Sequence, residues 1–230
     1  MILLKKFVIP DIIRFVIVIV GEDDQDAVGG KVVHFPPDEP VDQQPFVGAV
    51  QQMRFDFAAA VRKRFGHIDA LINNAGVASM NHFMLTPLET ARRLMNTNFF
   101  GPFAAIRAFI SLLKKSEHPR VVNFSTVAVP FNLDGELAYV SSKAAVEELT
   151  KILAKELSGF KITVNAVGPT PVKTALTAKV PENKIQALLD RQAIKRFGEF
   201  EDIRNVINFY LQPESDFITG QIIYLGGVNK

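Results

Sequence analysis

Short runs of β-branched and other apolar residues recur along the chain, separated by longer stretches of helical period. The run over residues 15–20 shows no alternation of polar and apolar positions, which is typical of a strand buried on both faces. Buried strands that alternate with helices predict an α/β fold, a doubly wound parallel sheet with helices on both faces. The predicted strands are residues 15–20, 31–35, 70–73, 120–124, 161–166 and 221–225, and the predicted helices are residues 45–64, 87–115, 139–157, 182–192 and 201–211.

The composition suits a single domain over residues 1–230, because 48% of the residues are hydrophobic. A net charge of +2 offers no basic excess, so we expect neither a nucleic-acid nor a membrane partner. The sequence has no cysteine, which excludes disulfides and a thiolate nucleophile, and its four histidines lack the spacing of metal ligands. We therefore expect a cytoplasmic protein without a metal site.

Tyr139 and Lys143 are the most informative pair of polar residues. They lie four positions apart in a predicted helix and therefore share one face of it. A free tyrosine has a pKa near ~10, and a nearby ammonium group favours the phenolate and lowers that pKa. The pair thus predicts that Tyr139 acts as a general acid in carbonyl reduction or as a general base in alcohol oxidation.

Several motifs accompany this pair at the ends of predicted strands and within one helix. In chain order they are Asn73-Asn74-Ala75-Gly76, Asn98-Phe99-Phe100-Gly101, Asn123-Phe124-Ser125-Thr126, Val164-Asn165-Ala166-Val167-Gly168-Pro169 and Ile218-Thr219-Gly220-Gln221. With this ordered set, the chain from about residue 15 onward resembles the short-chain dehydrogenase/reductase family, and its 3-oxoacyl-ACP-reductase-like members in particular. The resemblance implies a Rossmann-like fold and an oxidoreductase that transfers hydride between NAD(P) and a small carbonyl or alcohol substrate.

In this family, a serine 13 residues before the tyrosine binds the substrate oxygen, and that position is Thr126 here. Threonine keeps the hydroxyl, while its methyl group restricts χ1 and narrows the pocket. Ser125 is the alternative, but alternation along a strand would direct it to the opposite face, which favours Thr126. The family also implies that Asn98 opens a helical turn and holds a water that links the lysine to solvent. Asparagine is a poor helix former, which agrees with such an opening.

The resemblance also indicates how a nicotinamide cofactor, NAD or NADP, would bind. The small residues of the turn at 73–76 let the backbone approach a flat ligand closely. Gly168-Pro169-Thr170 stands where the family usually has Pro-Gly, so Thr170 replaces the glycine after the proline. Besides Tyr139 and Lys143, the expected cofactor-binding residues are Asp38, Asn73, Ala75, Gly76, Pro169, Val172 and Thr174.

The glycine-rich turn Thr-Gly-x-x-x-Gly-x-Gly, which binds the pyrophosphate in this family, has no counterpart in the sequence. The four acidic residues within 22–26 would repel phosphate. This segment is instead expected to correspond to the turn after the family's second strand. Glu22 or Asp23 could bind a ribose there and disfavour a 2′-phosphate, so we expect NAD to be preferred over NADP.

The N-terminal residues are therefore expected to lack or alter the family's first βα unit, with residues 1–14 as the tail of the first helix. A strand over residues 1–8 is the alternative, but too few residues follow it for a helical crossover between parallel neighbours. Because the first strand lies at the sheet centre in this family, its loss predicts exposed apolar edges on two neighbouring strands.

The predicted helices 87–115 and 139–157 correspond to the family's subunit interface, which implies a homodimer or homotetramer. Residues 175–196 should cover the substrate, and their apolar content suggests an apolar or amphiphilic ligand. Two other functions remain open. A binding or scaffold protein would keep the fold without cofactor chemistry, and a membrane-associated protein would use residues 1–20, although their longest apolar run is too short to span a bilayer.

Overall fold

The computed structural model of the chain describes residues 2–5, 16–19 and 32–33 by their backbone, and residues 57–174, 177–178 and 180–228 in full. The strands within these ranges form one sheet in the order β3-β1-β2-β4-β5-β6-β7. They are β1 (Ile2–Lys5), β2 (Val16–Ile19), β3 (Val32–Val33), β4 (Ala70–Asn73), β5 (Arg120–Phe124), β6 (Thr163–Gly168) and β7 (Ile222–Tyr224).

Strands β2, β4, β5, β6 and β7 are parallel neighbours, so their carboxyl ends lie along one edge of the sheet. Asn73 of β4 pairs with Asn123 of β5, which pairs in turn with Ala166 of β6. The predicted bounds of β4 and β5 are confirmed, whereas β6 begins two residues later than predicted and continues to Gly168. The predicted α/β class with a doubly wound parallel sheet is confirmed.

The N-terminal strands correct the sequence-based assignment. β1 pairs antiparallel with β2, from Ile2 opposite Ile19 to Lys5 opposite Val16, and β3 pairs antiparallel with β1. The assignment to the tail of a helix is therefore wrong for residues 2–5, which form a strand, while residues 6–14 lie outside the described residues. The prediction considered only a parallel neighbour, which needs a helical crossover, whereas an antiparallel neighbour needs only a short connection. The expected open edge beside β4 is also absent from the described strands, because β2 pairs with β4 along its length.

The helices pack on both faces of the sheet. The predicted helix over residues 87–115 is divided by a π-helical turn at Asn96–Phe100. No helix in the described ranges is both long and apolar enough to cross a membrane. The helices are α1 (residues 57–65), α2 (Leu88–Met95), α3 (Gly101–Leu113), α4 (Ala128–Phe131), α5 (Leu137–Glu156), α6 (Glu182–Asp190) and α7 (Phe200–Leu211).

The core has two layers, because successive strand residues point to opposite faces of the sheet. On one face, Leu71, Val121 and Val164 pack against α1, α3 and α5. On the other face, Ala70, Ile72 and Val122 pack against α7. Burying these side chains stabilises the sheet by roughly 1.5–3 kcal/mol for each large apolar residue. The two layers hold the strands rigidly, so the side chains at their carboxyl ends have fixed positions.

An ion pair between a buried arginine and a partly exposed aspartate lies at the opposite edge of the sheet, where β5 begins. Arg120 is only 1% exposed, and its guanidinium donates hydrogen bonds to the Asp216 carboxylate and, at 3.0 Å, to the Gln212 carbonyl. His118 Nδ1 lies 3.1 Å from Asp216 Oδ2. Although partial burial raises the pKa of Asp216, the hydrogen bonds from Arg120 and His118 lower it below its usual value. The pair therefore ties the segment after α7 to the start of β5.

Candidate functional site

A cleft of about 1230 Å³ lies beyond the carboxyl ends of β4, β5 and β6. Open α/β sheets bind their ligands at this edge. Three of the residues that the sequence predicted for catalysis line the cleft from two elements: Thr126 follows β5, and Tyr139 and Lys143 lie on α5. Val180, Ile185 and Leu188 also line the cleft, in agreement with the prediction that residues 175–196 cover it with apolar side chains.

The Thr126 hydroxyl faces Tyr139. The two side chains are hydrogen-bonded, and Thr126 Oγ1 also accepts the backbone N–H of Ala128 at 3.2 Å. Ser125 instead donates a hydrogen bond of 2.6 Å to the buried carboxylate of Glu147, two helical turns further along α5 than Tyr139. The two neighbouring hydroxyls therefore have different partners. Only the Thr126 hydroxyl lies beside the Tyr139 hydroxyl.

The pKa of Tyr139 corrects an expectation from the sequence. Burial raises this pKa to about 12, the hydrogen bond from Thr126 lowers it, and the negative charge of Glu136 raises it further. The Lys143 ammonium instead donates a hydrogen bond of 2.9 Å to the Phe124 carbonyl. The expectation that Lys143 brings the pKa of Tyr139 below its usual value is therefore wrong here, because loss of water around the phenolate disfavours the charged form. At neutral pH Tyr139 is a protonated hydrogen-bond donor.

Lys143 is 5% exposed, and burial lowers its pKa to about 8 from the ordinary 10.5. A difference of this size means that burial of the charged form costs on the order of 3 kcal/mol at neutral pH. The folded protein holds fewer protons on this group than the unfolded chain between pH 8 and 10.5, so its stability should rise with pH across that range. Burial of the Lys143 charge therefore lowers the free energy of unfolding at neutral pH.

Substitution Lys143→Met is expected to raise the free energy of unfolding by about 1–2 kcal/mol at pH 7. The variant loses the buried charge but also the hydrogen bond to Phe124, which offsets about 1 kcal/mol of the gain. Urea unfolding at pH 7 and pH 9.5 measures this, and the advantage of the variant should shrink at the higher pH. A variant less stable than the wild type at pH 7 would contradict the argument.

Asn98 lies inside the π-helical turn and is fully buried, so the predicted opening of the helix at this residue is confirmed. Its amide donates to the Val77 carbonyl and to Ser142 Oγ, both at 2.9 Å, and accepts the Val77 N–H at 2.9 Å. A π-turn is a common device at functional sites, because it redirects a side chain. Asn98 thus joins the loop after β4 to α5 next to Lys143, while its role in a water relay stays a prediction.

The turn after β4 brings only some of its predicted residues to the cleft. Gly76 lines the cleft, as does Asn74, two positions earlier. Asn74 was not among the predicted cofactor-binding residues. Asn73 donates a hydrogen bond of 2.8 Å to Asn123 Oδ1, and Ala75 packs against the core. A Cβ at Gly76 would lie 3.3 Å from Lys143 Nζ, so glycine keeps this space open. Asp38, Glu22 and Asp23 lie outside the described residues.

The loop after β6 has a defined path despite its unusual sequence. A Cβ at Gly168 would lie 2.4 Å from the Tyr224 ring, so only glycine fits at this position. The Pro169 carbonyl accepts the Val127 N–H at 3.1 Å, and the Pro171 carbonyl accepts the Gly198 N–H at 2.9 Å. These bonds present the loop to the cleft, whose lining includes Pro169, Thr170, Val172 and Thr174.

Two residues missed at the sequence level also line the cleft. Glu136 lies three positions before Tyr139 and seven before Lys143, so helical spacing could have identified it. Arg191, at the end of α6, lies with its guanidinium 4.2 Å from the centre of the Phe131 ring and donates to the Phe131 carbonyl at 3.0 Å. This contact holds α6 against α4, and no local sequence pattern indicates it.

Comparison with known proteins gives concordant matches. Residues 50–229 match the sequence profile of the family described as enoyl-(acyl carrier protein) reductase. The chain is 35% identical over 167 residues to the 3-oxoacyl-[acyl-carrier-protein] reductase FabG of Thermotoga maritima, covering 73% of this chain and 68% of that protein. It is also 35% identical over 163 residues to the (2S)-[(R)-hydroxy(phenyl)methyl]succinyl-CoA dehydrogenase subunit BbsD of Thauera aromatica, covering 71% and 65% of the two chains. The ligand-free aldohexose dehydrogenase of Thermoplasma acidophilum superimposes with a TM-score of 0.69 at 27% identity, covering 77% of this chain and 74% of that one.

Proposed function

Because this chain belongs to the short-chain dehydrogenase/reductase family of oxidoreductases, we propose that it interconverts an alcohol and a ketone or aldehyde, with a nicotinamide cofactor as the hydride partner. The observation that carries the proposal is the convergence of Thr126, Tyr139 and Lys143 on one wall of the cleft. A proton donor, a hydroxyl that can hold the substrate oxygen and a cation are the groups that carbonyl reduction requires.

The proton chemistry follows from the two shifted pKa values. Tyr139, with a pKa of about 12, carries its proton at neutral pH and can donate it to a carbonyl oxygen bound beside it. The Thr126 hydroxyl, next to Tyr139, can hydrogen-bond the same oxygen and orient it. Lys143, with a pKa of about 8, is charged at neutral pH and would stabilise the phenolate left after proton donation. This arrangement favours the reductive direction near neutrality.

The residues that line the cleft fit a nicotinamide cofactor. Gly76 leaves open the space next to Lys143 Nζ and Asn98 Oδ1 that a side chain would fill. Pro169, Val172 and Thr174 face the same cleft from the loop after β6. When bound there, the cofactor supplies or accepts the hydride. Asp38, Asn73 and Ala75 remain proposed cofactor-binding residues through the family resemblance, and NAD is proposed over NADP because Glu22 and Asp23 would disfavour a 2′-phosphate.

An oligomer is the second part of the proposal. Phe100 and Phe103, at the start of α3, are 45% and 40% exposed, and Ile152 on α5 is 47% exposed. These apolar side chains lie on the two helices that correspond to the subunit interface of relatives. A homodimer or homotetramer would remove them from water, at roughly 25 cal/mol for each Å² of apolar surface.

The reaction is tested by following nicotinamide absorbance with NADH or NADPH and a panel of ketones and aldehydes. Turnover of at least one carbonyl compound is expected, with a lower KM for NADH than for NADPH. Calorimetric titration with each nucleotide provides a measurement that does not depend on finding the substrate. Absence of saturable binding at millimolar nucleotide would favour a scaffold protein that keeps only the fold.

Substitution Thr126→Val is expected to lower kcat/KM for reduction about 100-fold, because the isosteric side chain cannot hydrogen-bond the substrate oxygen. Thr126→Ser keeps the hydroxyl and should remain within a few-fold of the wild type. Steady-state kinetics on one carbonyl substrate compares the three proteins. Equal activity of the valine variant and the wild type would remove Thr126 from the mechanism.

A further inference from the structure

The wall of the cleft next to Tyr139 carries a carboxylate that the proposed reaction does not use. Glu136 precedes the first residue of α5, yet its side chain does not cap that helix. No residue in the described ranges donates a hydrogen bond to its carboxylate or forms an ion pair with it within 4.0 Å. The side chain is half-buried and lines the cleft. Among the described residues, this carboxylate therefore has none of the donors that normally accompany partial burial.

Glu136 lies close in the chain to the reacting groups. It is the N-cap residue of α5, three positions before Tyr139, and it lines the same cleft as Tyr139 and Lys143. The negative charge of Glu136 is near enough to raise the pKa of the Tyr139 hydroxyl. A substrate whose carbonyl oxygen contacts Tyr139 would therefore have its neighbouring atoms beside Glu136.

Lys184 lines the same cleft as Glu136 from a different helix. It lies on α6 and places its Nζ 3.6 Å from Met80 Sδ. Burial raises the pKa of Glu136 and the charge of Lys184 lowers it, although no ion pair within 4.0 Å joins the two side chains. An acceptor and a donor thus line one cleft and interact electrostatically without a direct bond.

We propose that Glu136 and Lys184 together bind a hydroxyl group of the substrate next to its reacting carbonyl, so that the enzyme prefers hydroxylated carbonyl compounds; this inference rests on the proposed reduction. A hydroxyl group is suited to both partners because it donates one hydrogen bond and accepts another. An ammonium group could donate to Glu136 but would be repelled by Lys184, and an alkyl group would leave the buried part of the carboxylate without a donor.

The test uses two ketones of the same shape, 1-hydroxy-2-butanone and 3-pentanone, in which a hydroxyl replaces a methyl group. The quantity measured is the ratio of kcat/KM for the hydroxyketone to that for 3-pentanone. Glu136→Leu is expected to lower this ratio at least tenfold relative to the wild type. Glu136→Gln keeps an acceptor oxygen and should give an intermediate ratio, and Lys184→Met should lower the ratio several-fold. Asp134→Asn, which changes another carboxylate in the cleft lining, serves as the matched control and should leave the ratio unchanged.

An unchanged ratio in Glu136→Leu would overturn the proposal, as would an equal loss on both ketones, which would indicate an effect on Tyr139 or on folding. Turnover of 3-pentanone by the wild type tests the proposed reaction separately. If neither ketone is reduced, ligand-observed NMR titration gives the two dissociation constants without hydride transfer. Weaker binding of the hydroxyketone alone in Glu136→Leu would support the binding site, and equal binding of both ketones by the wild type would refute it.

Discussion

Substitution Tyr139→Phe is expected to lower kcat for carbonyl reduction about 10³-fold, the middle of the range for loss of a general acid. The ring and its packing are retained, and only the hydroxyl next to Thr126 is removed. Lys143 cannot replace it, because its ammonium is hydrogen-bonded to the Phe124 carbonyl. The measurement is single-turnover reduction at pH 7, in which proton and hydride transfer are not obscured by product release.

Tyr210→Phe is the matched control, because it also removes a tyrosine hydroxyl, but on the other face of the sheet. Tyr210 is fully buried in α7 and donates a hydrogen bond of 3.1 Å to the Ala166 carbonyl. Its loss should cost about 1 kcal/mol of stability and leave kcat within about threefold of the wild type. Tyr210→Phe should also bind the nucleotide with unchanged affinity. Retention of more than a tenth of kcat in Tyr139→Phe would show that another group donates the proton.

Substitution Asp216→Ala is expected to lower the free energy of unfolding by about 3 kcal/mol, because it leaves the charge of Arg120 buried without its carboxylate. The estimate lies at the lower end of the range for buried pairs, since more than half of the Asp216 side chain faces solvent and water can approach the guanidinium. Arg120 also keeps its bond to the Gln212 carbonyl. Urea unfolding at pH 7 measures the change.

Glu148→Ala provides the comparison for this stability measurement. Glu148 pairs with Lys151 at 3.3 Å, but both side chains are well exposed. The substitution should therefore lower the free energy of unfolding by less than about 0.5 kcal/mol. The pH dependence offers a second check. The pKa of Asp216 is lowered on folding, so its contribution is present above the ordinary value of 3.8 and is lost as pH falls through the folded value. A difference between wild type and Asp216→Ala that persisted at the lowest pH would have another cause.

Local patterns were sufficient to predict the alternating strands and helices and the bounds of β4 and β5. These features depend on strand and helix periodicity, which each short segment shows by itself. Asn98 was predictable for a similar reason, because an asparagine inside a helical pattern indicates a local departure from the α-helix. The catalytic and cofactor-binding roles of these residues stay predictions.

Features that depend on distant parts of the chain were not predictable. The antiparallel pairing of β1 with β2 depends on a choice of strand direction that hydrophobic pattern does not specify. The raised pKa of Tyr139 results from the water excluded by surrounding elements, whereas the sequence showed only its nearest cation. The contact of Arg191 with Phe131 joins two segments 60 positions apart, and neither segment indicates the other.

Asn98 also determines which part of the chain can change in length during evolution. Its amide is bonded to both backbone groups of Val77, 21 positions earlier, so the two ends of the intervening segment, which includes α2, are held together at one point. Within this segment, insertions or deletions in residues 78–87, before α2, can be accommodated without displacing Gly76 or Lys143, and lengthening a loop is inexpensive in closure entropy. This stretch includes Met80, which lines the cleft, and the exposed side chains of Phe83 and Met84. This part of the cleft lining can therefore diverge between homologues while the proton-transfer geometry stays constant.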